Sequence, residues 1–289
     1  MRHHYIPQFY LRPWLGADHK LQEFRRGYGG KVQTGRYGPG STGYVDDLYA
    51  LPGVSDKTRH KIESMFMAPV DNSAALARDL LLQGLIPTGE LRPVWARFLL
   101  SLLMRSPEQI RTFKSKIVGD WQNPSVALQA RYQAERKPNW PATFEQMMLT
   151  VEPELAERTG ILMATHLMQN EKVLTLFMSA MWNVLDVSQH TDMRFMTSDH
   201  PVIMTNGLGR EDGHFALAIS PTHLFAGFMN QEIMKAIKGL HPDVIVDDVN
   251  KLVIGQGRKY VYALDKGPLE LVRAGMATLD YMTFFPEES

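Results

Sequence analysis

The hydrophobic period changes along the chain, and this change limits the possible fold more than any other feature. From about residue 55 to residue 187 the apolar residues recur at helical spacing, and positions 94, 95, 98, 99, 102 and 103 form one broad face. The ends, residues 1–50 and 190–285, contain short β-type runs broken by proline and glycine. We therefore predict an α+β fold, in which a helical layer packs on a mixed or antiparallel sheet formed by strands from both chain ends.

The domain organisation follows from length and from the absence of repeats. The chain has 289 residues, which suffices for one large domain or two small ones, and it contains no internal repeat. We predict a single α+β domain over residues 1–289. A helical domain followed by a separate β domain is the alternative.

Local signals place several boundaries inside this plan. "GYGGK" at residues 27–31 predicts a hairpin turn, and Ser106 with Gln109 predicts a capping box that begins a helix at Pro107. Residues 154–187 are apolar over a long stretch and predict one long helix, kinked near Gly160. Residues 121–143 contain three prolines and predict a loop.

Charge and cysteine content exclude several classes of protein. Lys plus Arg and Asp plus Glu are both 31, so a net charge of zero gives no overall argument for nucleic acid or membrane as a partner. The chain has no cysteine, which excludes disulfides and thiolate chemistry. The apolar runs are too short to span a bilayer, and residues 1–30 lack the apolar core of a signal peptide. We expect a soluble cytoplasmic protein without membrane contact.

The opening stretch "MRHHYIPQFYLRPW" carries the first candidate site residues. Adjacent side chains diverge in extended chain, so we expect one of His3 and His4 to point inward and the other outward. An inward histidine is suited to act as a general base or a ligand, with Gln8 orienting a substrate or a water. The alternative is a hydrogen-bonded plug that ties the N-terminal segment to the sheet.

The stretch "FMTSDHPV" carries the second candidate. It places Asp199 on a turn at the end of a strand, where a carboxylate can ligate a cation or orient a histidine. The alternative is a turn-former whose side chain binds backbone amides. Ser198 lacks the context of a nucleophile elbow and is not interpreted as a catalytic serine.

Two cations and one amide complete the candidates. Arg105 ends a strongly apolar helix, which favours either an anion clamp or a structural ion pair. Arg111, one turn into the next helix, is suited to the same roles. Asn250 follows Asp247 and Asp248 and is interpreted most simply as the cap of a short helix.

Several motifs together resemble one known family. "HHYIPQFYL" at residues 3–11 is followed in order by "LLMRSPEQIR", "FMTSDHPV", "AISPTHLF" and "VNKLVIGQGRKYVYA". The set is similar to a largely bacterial family of unknown function, domain-of-unknown-function 4238, and the chain departs from it at His200, where the family has asparagine. The resemblance implies a conserved fold and a shared site but no established activity. The polar residues in or near these motifs are the candidate catalytic residues His3, His4, Gln8, Asp199 and Arg105, and the candidate substrate-binding residues Tyr5, Arg111, Ser198 and Asn250.

Three functions remain open from the sequence. The first is a hydrolase, acting on a phosphodiester with help from a divalent cation; the second is a non-catalytic ligand-binding or regulatory module built on the same residues. The third is a nucleic-acid contact protein using the basic, glycine-rich hairpin with Arg25, Arg26, Lys31 and Arg36. No nucleotide-binding loop, zincin or EF-hand motif is present in the sequence, so no cofactor is identified and the partner is an unknown small molecule or nucleic acid.

Overall fold

The computed structural model describes residues 1–151 and 154–281 and has an α+β fold, as the sequence predicts. The longer helices are α3 (Ala68–Leu81), α4 (Leu91–Met104), α5 (Pro107–Gln122), α6 (Val126–Glu135), α8 (Leu155–Leu167), α9 (Glu171–Ser179) and α11 (Pro242–Gln256). The shorter ones are α1 (Gln8–Leu11), α2 (Asp56–Arg59), α7 (Phe144–Val151), α10 (Gln231–Lys238) and α12 (Leu269–Gly275). Residues 282–285 of the predicted β-rich end lie outside the described residues.

One antiparallel sheet joins the two ends of the chain. Its strands are β2 (Leu21–Arg26), β3 (Val32–Tyr37), β6 (Thr197–Ser198) and β10 (Tyr260–Ala263), in the order β3-β2-β10-β6. Phe24 pairs with Val261, and Val261 pairs on its other side with Ser198. The β2–β3 hairpin turns at Gly29 and Gly30, whose φ angles of 65° and 77° favour glycine. Both the shared sheet and the hairpin confirm the predictions.

The structure contains two further sheets, which the sequence patterns did not distinguish from the sheet that joins the chain ends. A ribbon pairs β1 (Arg2–His4) with β4 (Tyr44–Asp46). A second four-stranded antiparallel sheet contains β5 (Met181–Asp186), β7 (Ile203–Thr205), β8 (His214–Ala218) and β9 (His223–Phe228), in the order β5-β9-β8-β7. Helix α4 packs on this sheet through Trp95, whose ring lies 5.6 Å from that of Phe225.

The prediction of one long helix over residues 154–187 is wrong. The segment divides into α8, α9 and strand β5, because Asn170 accepts the amide of Val173 and begins a new helix. Gly160 lies inside α8, which is continuous from Leu155 to Leu167. A Cβ atom there would lie 2.8 Å from Cα of Lys114, so the glycine allows α8 to lie close against α5.

The loop predicted over residues 121–143 contains helix α6, which begins after Ser125 accepts the amide of Leu128. The helix start predicted at Pro107 is confirmed, since Ser106 Oγ accepts the amide of Gln109 at 3.2 Å. Within the two described ranges, none of the helices has both the length and the apolar character that crossing a membrane requires.

Candidate functional site

The aromatic N-terminal segment is docked against the strand that precedes Asp199. The buried Tyr10 hydroxyl donates to the carbonyl of Ala218 at 2.8 Å and lies 2.6 Å from Oγ1 of Thr197. Trp14 Nε1 donates to the carbonyl of Phe195 at 2.9 Å. Neither ring is exposed to solvent. These hydrogen bonds between the two stretches come from Tyr10 and Trp14, not from the histidines.

His3 is the inward histidine, and it is fully buried. Its Nδ1 accepts the backbone amide of Tyr49 at 2.9 Å, so its ring proton lies on Nε2, which faces Nδ1 of His60 at 3.2 Å. Burial, followed by the neighbouring His60, lowers the pKa of His3 to about 4. His3 is therefore a neutral ring that joins β1 to the segments carrying Tyr49 and His60.

His3, Asp47 and His60 form a group whose ligand atoms all lie within 4.8 Å of one another. Spacing alone suits a metal ion, but a metal ligand must present a lone pair. Nε2 of His3 carries the ring proton as long as Nδ1 accepts from Tyr49. The group therefore fits a metal only if this hydrogen bond is lost.

His4 lies on the opposite face of β1 and is half-buried. Its ring packs 5.5 Å from that of Tyr44, and its Nε2 is buried without a hydrogen-bond partner in the described part of the chain. Burial lowers the pKa of His4, and the charges of Arg2 and Arg105 lower it further. The ring therefore lies within electrostatic range of Arg105.

Arg105 is the most unusual cation of the structure, because its side chain is completely buried. It follows the last residue of α4, and Tyr49 donates its hydroxyl proton to the Arg105 carbonyl at 2.7 Å. Nη1 donates to Asp71 Oδ1 at 2.8 Å, while Nε and Nη2 have no hydrogen-bond partner among residues 1–151 and 154–281. These two atoms form one edge of the guanidinium, the edge that pairs with two oxygens of a carboxylate or phosphate.

Two carboxyl groups lie beside Arg105. Asp71 makes the ion pair, and burial raises its pKa although Arg105 opposes this. Burial and then the charge of Asp71 raise the pKa of Glu63 to about 7, and Glu63 Oε2 is buried without a partner within the described residues. Glu63 begins a π-helical turn over Glu63–Met67, a feature frequent at functional sites. Arg105, Asp71, Glu63 and His4 are called the Arg105 cluster below.

The hydrogen bonds of Asp199 go to residues outside the Arg105 cluster. It is buried, and its Oδ1 accepts the amide of Arg258 at 2.8 Å. Its Oδ2 accepts the amides of Lys259 and Tyr260 at 2.7 and 3.2 Å. Burial raises the pKa of Asp199 and these amides oppose the rise. The carboxylate fixes the turn before β10, as the turn-forming interpretation expects, and its described hydrogen bonds go to these three amides rather than to a histidine.

The remaining candidates have structural or exposed positions. Ser198 Oγ accepts the amide of His200, and Asn250 bonds the amide of Met196 and the carbonyl of Arg194. Asn250 lies inside α11, so its interpretation as the cap of a short helix is wrong. Gln8 and Arg111 are exposed, and Tyr5 is buried.

Half of the basic charge on the β2–β3 hairpin is neutralised locally. Arg25 pairs with Glu23 at 2.9 Å, and Arg36 pairs with Asp18 at 2.5 Å. Since both cations serve to brace the hairpin, the charge left for a nucleic-acid backbone is that of Arg26 and Lys31.

Sequence reasoning missed Glu63, Asp71, Tyr49 and His60. Asp71 pairs with Arg105, and the charge of Arg105 acts on the pKa of Glu63. Tyr49 and His60 bind His3, and these partners are separated by 34 to 57 residues of sequence. Asp71 and Glu63 sit in a segment of ordinary helical polarity, where a carboxylate is normally solvated. The only available signal was Arg105 itself, since a cation at the end of an apolar helix requires a buried acidic partner.

The chain is thus an α+β protein in which the N-terminal ribbon, the π-helical turn and the end of α4 surround a buried polar cluster. A family model described as "Protein of unknown function (DUF4238)" matches residues 2–267. The chain belongs to this family, which confirms the resemblance inferred from its motifs. No curated protein and no solved structure matches it.

Proposed function

We propose that this protein binds a small oxyanion, a carboxylate or a phosphate ester, through Arg105. The observation that carries the proposal is the buried Nε–Nη2 edge of Arg105, which has no partner within the described ranges. Buried polar groups are almost always hydrogen-bonded, and an unpaired guanidinium edge is costly. Two oxygens of one anion satisfy both donors at once.

The surrounding groups favour a singly charged ligand. Asp71 already balances one charge of Arg105 at 2.8 Å. Because the pKa of Glu63 is raised to about 7, this group is about half protonated at neutral pH and repels an incoming anion less than an ordinary glutamate does. His4 brings a buried Nε2 without a partner in the described chain to the same cluster.

Arg105→Lys tests the proposal, because lysine keeps the ion pair with Asp71 but lacks the two-atom edge. We expect acetate or inorganic phosphate to bind the wild-type protein, and Arg105→Lys to weaken that binding roughly tenfold, the effect of one lost charge-assisted hydrogen bond. Isothermal titration calorimetry with each anion separately measures this and identifies which anion is preferred.

Arg111→Lys is the matched control, since Arg111 is exposed on the next helix. It should bind both anions as the wild type does. Equal weakening by the two substitutions, or no effect of Arg105→Lys on a measurable affinity, would place the anion elsewhere.

Hydrolysis is a second candidate function, favoured by the pKa of Glu63 near 7. A carboxylate of this pKa is suited to take a proton from water while the water oxygen attacks an acyl carbon or a phosphorus atom. The leaving alkoxide or phenolate is then protonated from solvent. In this scheme Arg105 holds the oxyanion, and Glu63 takes the role that the sequence assigned to His3, His4 or Asp199.

Glu63→Gln separates hydrolysis from binding. For a 4-nitrophenyl ester or bis(4-nitrophenyl) phosphate we expect a rate that rises through pH 7, as Glu63 loses its proton, and a rate about 100-fold lower for Glu63→Gln. The substitution removes a buried ionisable group without changing its size, so unfolding temperatures should stay close to the wild type. Equal rates for the two proteins would leave anion binding as the function of the cluster.

A further inference from the structure

A separate cavity of about 200 Å³ lies beside the π-helical turn. Its walls come from this turn, the first turns of α3, the first half of α4 and the α8–α9 connection. The lining residues are Met65, Phe66, Pro69, Val70, Ser73, Val94, Arg97 and Gln169. Arg97 precedes Arg105 by eight residues on the sequence, which is about 12 Å along a helix axis. The cavity is therefore distinct from the Arg105 cluster.

Arg97 is the one charged residue among those lining the cavity. Its Nε is buried and has no hydrogen-bond partner, and no carboxylate pairs with its guanidinium in the described portion of the chain. The neighbouring arginines differ: Arg92 donates to the carbonyls of Met178 and Ala180, and Arg105 is paired with Asp71. The positive charge of Arg97 is thus available to bind an anion in the cavity.

The other walls of the cavity are mainly apolar. Phe66, Val70 and Val94 offer hydrocarbon surface, and Met65 carries a flexible side chain that is 70% exposed. Met65 and Phe66 belong to the π-helical turn, whose wider spacing is frequent at binding sites. Ser73 and Gln169 add two neutral polar groups. A mainly apolar wall with one cation is the pattern of a site for an anion with an apolar tail.

We propose that this cavity binds a short aliphatic carboxylate, with the carboxylate on Arg97 and the tail against Phe66, Val70 and Val94. A cavity of about 200 Å³ suits a small anion with a short alkyl tail, and pentanoate is chosen as the probe. The site does not depend on the function proposed for the Arg105 cluster.

Pentanoate binding is measured by the shift of the Met65 methyl signal in the ¹³C-methionine NMR spectrum of the full chain, because Met65 lines the cavity. We expect saturable shifts with pentanoate and at least tenfold weaker binding of pentan-1-ol, which lacks the charge. Arg97→Met should lower the affinity for pentanoate by about the same factor while keeping the length of the side chain. Arg97→Lys should lower the affinity for pentanoate less than Arg97→Met does.

Two controls make the result decisive. Val94→Phe fills the cavity and should weaken pentanoate binding with Arg97 intact, whereas Arg105→Lys should leave the Met65 response unchanged. Acetate, which has no tail, should bind more weakly at Met65 than pentanoate. The proposal is overturned if pentanoate leaves the Met65 signal unmoved, if pentan-1-ol binds as well, or if Arg97→Met and Val94→Phe have no effect. Loss of the response on Arg105→Lys would also overturn it.

Discussion

Replacing Asp199 with alanine is expected to lower the free energy of unfolding by about 4 kcal/mol. The carboxylate accepts the amides of Arg258, Lys259 and Tyr260, and hydrogen bonds to charged groups contribute about 1.5–3 kcal/mol each. Alanine leaves these donors without an acceptor at the point where β10 enters the shared sheet. For a chain of 289 residues the loss corresponds to a fall of about 7 °C in melting temperature, which thermal unfolding followed by circular dichroism measures.

Asp199→Asn should lower the free energy of unfolding by a smaller amount. Its oxygen can keep the amides of Lys259 and Tyr260, but its NH2 group then faces the amide of Arg258. We expect about half the loss seen with alanine. Ser198→Ala is the control at the neighbouring residue. Within the described chain, the one hydrogen bond of Ser198 Oγ is that from the amide of His200, at 3.2 Å. Its cost should be about 1 kcal/mol.

The result also decides between two roles of Asp199. If Asp199→Ala keeps the wild-type melting temperature and loses activity or anion binding, the residue is catalytic and the amide cradle is incidental. If Asp199→Ala is less stable than the wild type and Asp199→Asn has an intermediate stability, the carboxylate stabilises the turn.

The sequence predicts the parts of the fold that depend on local pattern. The α4 face, the cap at Ser106 and the glycine turn at Gly29 each depend on a few neighbouring residues, and each is found in the structure. The shared sheet is also anticipated, because both ends of the chain contain short β-type runs. Its strand order is not, since the pairing of β10 with both β2 and β6 is set by contacts across the whole chain.

Strand β5 shows where local pattern is insufficient. Its residues, Met181–Asp186, continue an apolar run that fits a helix and a buried strand equally well. The pairing partner β9 decides the outcome, because Trp182 lies opposite Gly227 and packs on Phe225 at 5.2 Å. A tertiary contact of this kind has no signal in the strand's own sequence.

The sequence draws attention to some residues of the candidate site and not to others, for a related reason. His3 and Arg105 stand out because a histidine before an extended segment and a cation after an apolar helix are locally unusual. Their partners Tyr49 and Asp71 are ordinary residues in their own segments, and only the fold brings them within 3 Å. For Asp199 the sequence leaves a catalytic and a turn-forming role open, and it gives no sign of the three backbone amides that the carboxylate accepts.

His3 should make the stability of the protein fall as the pH is lowered from about 6.5 to about 4. The folded protein holds the ring neutral, with a pKa of about 4, whereas the unfolded chain protonates it near the ordinary value of 6.5. Above pH 6.5 both states are neutral and the full stability is present. Between the two values the unfolded state binds the extra proton, and the loss by pH 4 amounts to about 3 kcal/mol. Urea unfolding at a series of pH values measures it.

His3→Asn isolates this contribution from that of the carboxylates. Asparagine Oδ1 can take the place of Nδ1 and accept the Tyr49 amide, but it does not titrate. The variant loses the contact with His60 and should be about 1 kcal/mol less stable than the wild type at pH 7.5. At pH 4 the variant should be the more stable of the two, because only the folded wild type must keep an imidazole neutral. Parallel stability curves for the two proteins would mean that His3 is protonated in the folded state, and the Tyr49 amide would then have to bond elsewhere.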